Sequence, residues 1–338
     1  MHPLSQKEIE SLFSTLDTSV QLLQKELGVS YLEGLSETGE NILDGKKARR
    51  ENNLPSEETA EALNTLYQDL PLAEMEPEEI RKSFQLALLK GAKEDKLQAN
   101  HQMTPDAIGF VLAYLIETLM DPTLKTIRLL DPAVGTGNLL STVYNGLSAR
   151  NIEVVAEGID NDDLLLVLAL ISTELQGQKI KLTHQDALTG LLVDPVDIVV
   201  SDLPVGFYPV DKQAKQFKTS SEKGHSFAHH LFIEQSIHYL KKGGYGVFLV
   251  PSQLFETEEA APLTKMIQEE AYLQGMLHLP KELFRTKNSR KSILLLQKKG
   301  NHAQQVKQVL LAQIPDFKNQ PAMLHFMQEV ETWNKKNN

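Results

Sequence analysis

The sequence predicts an α/β fold, a doubly wound and mainly parallel sheet of seven strands preceded by an N-terminal helical domain. Three observations predict it. Residues 1–100 carry apolar side chains at helical spacing. From about residue 100, apolar runs alternate with helical patterns, the alternation that builds a parallel sheet with helices on both faces. Several of those runs are almost uninterrupted in Val, Ile and Leu, as strands covered on both faces are. A chain of 338 residues accommodates one large α/β unit at 101–338 and a smaller helical unit at 1–100.

In the helical unit, Ser5 and Glu8 have the spacing of a capping box. Ile9, Leu12, Phe13, Leu16, Val20 and Leu23 follow at intervals that place them on one helix face, and Gly28 is the expected stop. Further helices are expected over 31–43, 57–70 and 77–90. Between them, Lys46-Lys47-Ala48-Arg49-Arg50 leads into Asn52-Asn53-Leu54-Pro55, which reads as a solvated loop rather than an anion site. Thr104 is expected to cap the helix DAIGFVLAYLIETLM, with Pro105 at its first position. The seven strands are IRLLD (127–131), EVVAEGI (153–159), IKLTHQ (180–185), VDIVVS (196–201), YGVFLV (245–250), LQGMLHL (273–279) and KSILLLQK (291–298). A further strand in VKQVLLAQI and a helix near 321–333 follow, too little for a DNA-recognition domain of the usual kind. There is no internal repeat or low-complexity tract.

Formal charge is −11 and unevenly spread. Residues 1–100 hold 11 basic and 19 acidic side chains, whereas residues 101–338 hold 23 and 26. Such a chain lacks the basic field that supplies most non-specific nucleic-acid affinity, so tight unaided DNA binding is not expected. No apolar run approaches the roughly 20 residues that span a bilayer. The start MHPLSQKEIE lacks a basic segment followed by an apolar core, so neither membrane insertion nor secretion is expected. There are no cysteines. That excludes disulfides, thiolate catalysis and Cys-based zinc sites, and fits a cytoplasmic location.

LLDPAVGTGNLL (129–140) joins the first strand to a helix. Gly135 and Gly137 let the backbone turn tightly beside a ligand, and the helix behind them offers free N–H groups. Leu140 stands where a nicotinamide-dinucleotide loop has its third glycine, and no Gly-Lys-Ser/Thr follows. Taken alone, the loop reads as a tight strand-to-helix turn. Asp160, however, ends the second strand, where a carboxylate can hold two ribose hydroxyls. Asp186, in HQDAL, follows the third strand, where a carboxylate can accept from an adenine amino group. These features line one crevice at the carboxyl ends of consecutive strands, where open α/β sheets bind ligands. His225, His229 and His230 in HSFAHH have no accompanying carboxylate or HExxH pattern. They read as surface histidines at a helix start, and no metal is expected.

In order, DPAVGTGNLL, the acid in GIDNDD, HQDAL and the acid-x-Pro of SDLP resemble the signature of class I S-adenosylmethionine-dependent methyltransferases, whose sheet is Rossmann-like. The closer resemblance, over roughly residues 100–300, is to N6-adenine-specific DNA methylases of the type I modification-subunit kind, in a small stand-alone bacterial branch. It implies S-adenosyl-L-methionine as cofactor, a cofactor-bordering helix opened by Thr104-Pro105, and an antiparallel strand in KSILLLQK. It also implies that Gly135 and Gly137 shape the pocket, Asp131 lies near the methionine amine, Asp160 binds the ribose and Asp186 the adenine. Pro132, Ala133, Asn138, Asn161 and Ala187 are grouped with them as cofactor contacts.

SDLPVGFYP (201–209) would then carry the chemistry. An exocyclic amine is a poor nucleophile because its lone pair is delocalised into the ring. Asp202 can accept from one N–H and the carbonyl of Leu203 from the other, while Pro204 stiffens the turn. At position 205 the family has an aromatic residue that stacks on the extruded base, and Val205 cannot replace it. Phe207 and Tyr208 follow, either as substitutes or as packing residues. Residues 210–225 carry Lys212, Lys215, Lys218 and Lys223, and read as either a basic lid or an exposed hydrophilic loop. The leading expectation is N-methyl transfer with DNA as acceptor, aided by a partner docked on the acidic helical domain. The rivals are an amine or amide methyltransferase acting on protein or RNA, and a cofactor-binding scaffold without turnover.

Overall fold

The computed structural model describes residues 4–98, 101, 103–121 and 123–337. Helices α1 (Gln6–Leu27), α2 (Tyr31–Leu43), α3 (Glu57–Gln68) and α4 (Pro77–Glu94) form an N-terminal layer. The rest alternates strands β1 (Thr126–Asp131), β2 (Glu153–Asp160), β3 (Ile180–His184), β4 (Val196–Asp202), β5 (Leu240–Pro251), β6 (Ala271–His278), β7 (Lys291–Lys298) and β8 (Leu310–Gln313) with helices. The helices are α5 (Asp106–Leu119), α6 (Asn138–Ser148), α7 (Asp163–Leu175), α8 (Asp211–Ala214), α9 (Ala228–Tyr239), α10 (Ala260–Glu270) and α11 (Gln320–Asn337).

The apolar spacing read from the sequence is the buried stripe of α1, and Gly28 ends that helix with φ 69°, a left-handed conformation suited to glycine. Ser5 caps the Glu8 N–H, but the Ser5 N–H donates to Glu79 Oε1 at 2.6 Å rather than to Glu8, because α4 lies alongside. Leu168 and Ile171 of α7 share one core with the N-terminal helices. Contact there is close: a Cβ on Gly39 of α2 would lie 2.2 Å from Ile171 Cγ2. The N-terminal helices are therefore packed onto the sheet unit. The basic run is also more engaged than expected. Lys46 Nζ donates to the Leu70 carbonyl, Arg50 Nε to the Pro55 carbonyl, and Arg49 pairs with Glu37 at 3.1 Å.

Among the described residues the sheet has eight strands in the order β3-β2-β1-β4-β5-β7-β6-β8, the seven expected in the sheet and the further strand read in VKQVLLAQI. The eighth, β8, adds to the edge by pairing parallel with β6. Among the described residues only β7 runs antiparallel, between β5 and β6. The chain builds outward from β1 through β2 to β3, then returns to place β4 on the other side of β1. Such a reversal, here at the carboxyl ends of β1 and β4, is where open α/β sheets bind ligands. Successive residues of β1 feed opposite faces, Leu129 into one core and Leu130 into the other.

The histidines depart from expectation. His229 and His230 are buried, because α9 sinks into the core with Leu231, Ile233 and Ile237 fully covered. Burial pushes their imidazoles down to about 3 and about 4, so both are neutral. His225 is exposed and pairs with Asp211. Residues 210–225 form neither a free lid nor a wholly exposed loop. Ala214, Phe217 and Thr219 are buried, and the buried Glu234 carboxylate accepts the Lys218 and Thr219 N–H groups at 3.0 and 2.8 Å. No helix among the described residues is long and apolar enough to cross a membrane.

Candidate active site

Four acids stand at the carboxyl ends of four adjacent strands. Asp131, Asp160 and Asp202 are the last residues of β1, β2 and β4, and Asp186 lies two residues past β3. The strand order sets them in the row Asp186, Asp160, Asp131, Asp202.

Asp160 braces the glycine loop. Its carboxylate accepts the Gly135 N–H at 2.7 Å and the Asp162 N–H at 3.0 Å. Each carboxylate oxygen keeps a second lone pair. Gly135 and Gly137 both have positive φ, 52° and 77°, where a side chain would strain the backbone. Their surroundings differ. A Cβ on Gly135 would meet nothing within 4 Å, so the loop opens to space there, whereas one on Gly137 would lie 3.2 Å from Ala169 Cβ. That open glycine, the N-terminus of α6 behind it and the adjoining carboxylates suit a ligand with an amine and ribose hydroxyls.

Asp131 is the deepest of the four, 1% exposed. It accepts from Ser201 Oγ at 2.6 Å and from the Ala133 N–H at 3.0 Å. Burial pushes its carboxyl up to about 7, and the negative charges of Asp160 and Asp202 add to the rise. A raised carboxyl pKa means that its contribution to stability is complete below about pH 4. That contribution is lost as pH rises through about 7.

Asp186 accepts the Leu188 N–H at 2.9 Å and the hydroxyl of Tyr208. Tyr208 is buried, so it packs against this end of the crevice. Asn138 is also engaged at both ends: Nδ2 donates to the Thr104 carbonyl at 3.0 Å, and Oδ1 accepts from Arg81 at 2.6 Å. Thr104 does not cap α5. Pro105, exposed, takes the N-cap position, and Thr104 Oγ1 donates to Asp202 Oδ2 at 3.0 Å instead. Pro132 and Ala187 are buried, Ala133 is half-buried and Asn161 exposed.

Asp202 accepts from Thr104 on one oxygen and from the Lys291 ammonium on the other. Leu203 turns its side chain into the core, 1% exposed, and its N–H donates to the Leu249 carbonyl at 3.1 Å. Leucine at this position is thus a packing residue where the chain leaves β4 toward Pro204. Beyond it, Val205 is 37% and Phe207 61% exposed. Phe207 stacks on Phe227, with ring centroids 4.8 Å apart and planes 11° from parallel. Phe207 is therefore the exposed aromatic of this loop and Tyr208 the anchored one.

Three residues of this arrangement carry no signal in the sequence. Lys291 looks like any lysine opening a strand. Ser201 is an ordinary strand residue until β1 brings Asp131 to it. Arg81 sits on an amphipathic helix, yet it is 1% exposed. It contacts Glu78, Asp106 and Asn138, so it bolts α4 to α5 and to the first residue of α6.

Comparison with known proteins matches residues 10–92 to the YtxK N-terminal helical domain and residues 83–333 to the N-6 DNA methylase family. The Bacillus subtilis (strain 168) protein YtxK, named as uncharacterized, is 40% identical over 333 residues, 98% of this chain and 99% of its own. A solved structure from Listeria monocytogenes, described as a candidate class I S-adenosylmethionine-dependent methyltransferase, superposes with a TM-score of 0.90 at 46% identity. That match covers 98% of this chain and all of the other. The modification subunit of a candidate type I restriction enzyme from Vibrio vulnificus YJ016 shares the fold at a TM-score of 0.62 and 15% identity, over 94% and 86% of the two chains.

Proposed function

From the premise that the chain belongs to the N-6 DNA methylase family and is an S-adenosylmethionine-dependent methyltransferase, we propose that it methylates the exocyclic amine of adenine in DNA, with Asp202 as the amine acceptor. The observation that carries this reading is Phe207, exposed on the loop leaving Asp202 and backed on one face by Phe227. An exposed aromatic face suits a nucleobase, and base–aromatic stacking contributes about 1–3 kcal/mol. Phe207 thereby supplies what Val205 lacks.

Asp131 receives the methionine amine, Asp160 the ribose hydroxyls and Asp186 the adenine amino group, with Gly135 lining the pocket. Bound there, the cofactor supplies an electrophilic methyl group on a sulfonium. Asp202 accepts one N–H of the substrate amine and the Leu203 carbonyl accepts the other. The nitrogen then becomes more tetrahedral as it attacks. Direct displacement asks the protein mainly for alignment and exclusion of water. The net charge of −11 argues that DNA is held weakly without help. A partner docked on the acidic N-terminal helices would supply recognition, and a cytoplasmic location, which a cysteine-free chain fits, is part of this reading.

Incubation with methyl-labelled S-adenosylmethionine and separated DNA, RNA and protein from a cell extract should put label into DNA, recovered as N6-methylated adenine. Phe207→Ala should lower that transfer about 10- to 100-fold in kcat/KM, the loss of one stacking contact. A second reading, an amide in protein or an amine in RNA, is favoured by Val205, since a side-chain amide needs no stacking wall. Label in protein or RNA alone would replace the adenine reading with it, and DNA methylation indifferent to Phe207 would remove Phe207 from the base.

Asp131 adds a pH dependence. A cationic amine beside it favours the carboxylate, so binding below pH 7 expels a proton. Cofactor affinity should rise from about pH 5.5 to about pH 7, before the ligand's own amine begins to discharge. Titration calorimetry in two buffers of different ionisation enthalpy should show proton release at the acid end. A pH-independent affinity would remove Asp131 from the amine.

A further inference from the structure

Accepting an N–H from a substrate amine does not require a lysine at the acceptor, yet Lys291 is there. Topology explains its arrival. Asp202 of β4 pairs with Leu249 of β5, and Pro251, two residues further along β5, pairs with Lys291. Because β7 alone is antiparallel, it brings its first residue to the edge where β4 and β5 end. The ammonium donates to Asp202 Oδ1, Thr104 holds Oδ2, and the lysine and aspartate side chains remain 28% and 20% exposed.

An ammonium has three N–H groups. One bonds Asp202, so the site presents a donor directly beside its acceptor. Adenine carries the complementary pair on a single carbon: C6 bears the amino group and is bonded to N1, an acceptor. N7 is one carbon further away. Resting on the adenine reading above, we propose that Lys291 is a specificity-determining residue that donates a hydrogen bond to adenine N1 while Asp202 accepts from the 6-amino group. The pairing edge of the base must then be free, so the target adenine is unpaired or extruded when it reacts. A bond to N1 draws electron density away from the amine, so the benefit of Lys291 is placement and its loss is read mainly in KM.

The test uses an oligonucleotide taken from DNA that accepts label, with its target adenine replaced by 1-deazaadenine or 7-deazaadenine. The wild-type protein should lose about 10- to 100-fold in kcat/KM on 1-deazaadenine, the worth of one charged hydrogen bond, and little on 7-deazaadenine. Lys291→Met should no longer distinguish adenine from 1-deazaadenine, whereas Lys291→Arg should retain the distinction. If the methionine variant does not fold, the wild-type ratio between the two analogues decides. An equal response to both analogues, or an undiminished 1-deazaadenine penalty in Lys291→Met, overturns this role and leaves adenine methylation standing. Transfer to no adenine-bearing DNA at all overturns both.

Discussion

Arg81→Met is expected to lower the unfolding free energy by about 3 kcal/mol and to weaken S-adenosylmethionine binding about tenfold. The guanidinium is 1% exposed and bonds Asp106 through two nitrogens at 2.9 and 2.8 Å, Glu78 at 2.6 Å and Asn138 at 2.6 Å. Desolvation works against its charge, yet these partners hold its pKa above the ordinary arginine value. Methionine fills much of the volume but leaves two carboxylates facing each other. Removing one partner of a buried pair typically costs about 3–5 kcal/mol. The lower figure applies because Glu78 and Asp106 each keep 22% of their side-chain surface exposed. The effect on the cofactor follows from Asn138, which loses its bond to Arg81 at the residue after Gly137. Denaturant unfolding and cofactor titration measure the two effects. Arg49→Met is the control. Its side chain is 53% exposed, and such surface pairs contribute about 0–1 kcal/mol. If Arg81→Met behaves like that control, the helical layer does not support the cofactor loop.

Asp202→Ala is expected to lower methyl transfer by about 10²–10³-fold, the usual loss when one group stabilising developing charge is removed. The variant keeps the Leu203 carbonyl, so it loses one of two acceptors. Cofactor affinity should stay close to wild type, because the proposed cofactor contacts lie at Asp131, Asp160 and Asp186. Stability should change little. Lys291 and Thr104 lose their shared partner, but Lys291 is solvated enough to stand alone. A fall in kcat with unchanged cofactor binding separates a catalytic carboxylate from one that merely braces the loop.

Much of this site was legible in the sequence because its parts are local. Near-continuous apolar runs marked strands covered on both faces, and the acids Asp131, Asp160 and Asp202 end those strands. Gly135 and Gly137 announced a turn that their positive φ values require. What was not legible depends on packing between distant segments. Lys291 reaches Asp202 across 89 residues only because β7 reverses direction. Arg81 looks like a surface residue until α5 and α6 enclose it. Thr104 has the letters of a helix cap, but its hydroxyl meets Asp202 instead. His229 and His230 look solvated because they are polar, yet α9 is buried nearly all round. Phe207 and Tyr208, indistinguishable in sequence, separate only when Tyr208 finds Asp186 and Phe207 is left stacked on Phe227.

The central claim is that Asp202 accepts the amine that receives the methyl group. Its most direct test is single-turnover transfer of labelled methyl to DNA by protein saturated with S-adenosylmethionine, wild type beside Asp202→Ala, with cofactor affinity measured on the same samples. The expected result is label in N6-methylated adenine from the wild type and about 10²–10³-fold slower transfer from a variant that binds the cofactor normally. Equal rates from the two proteins would contradict the claim.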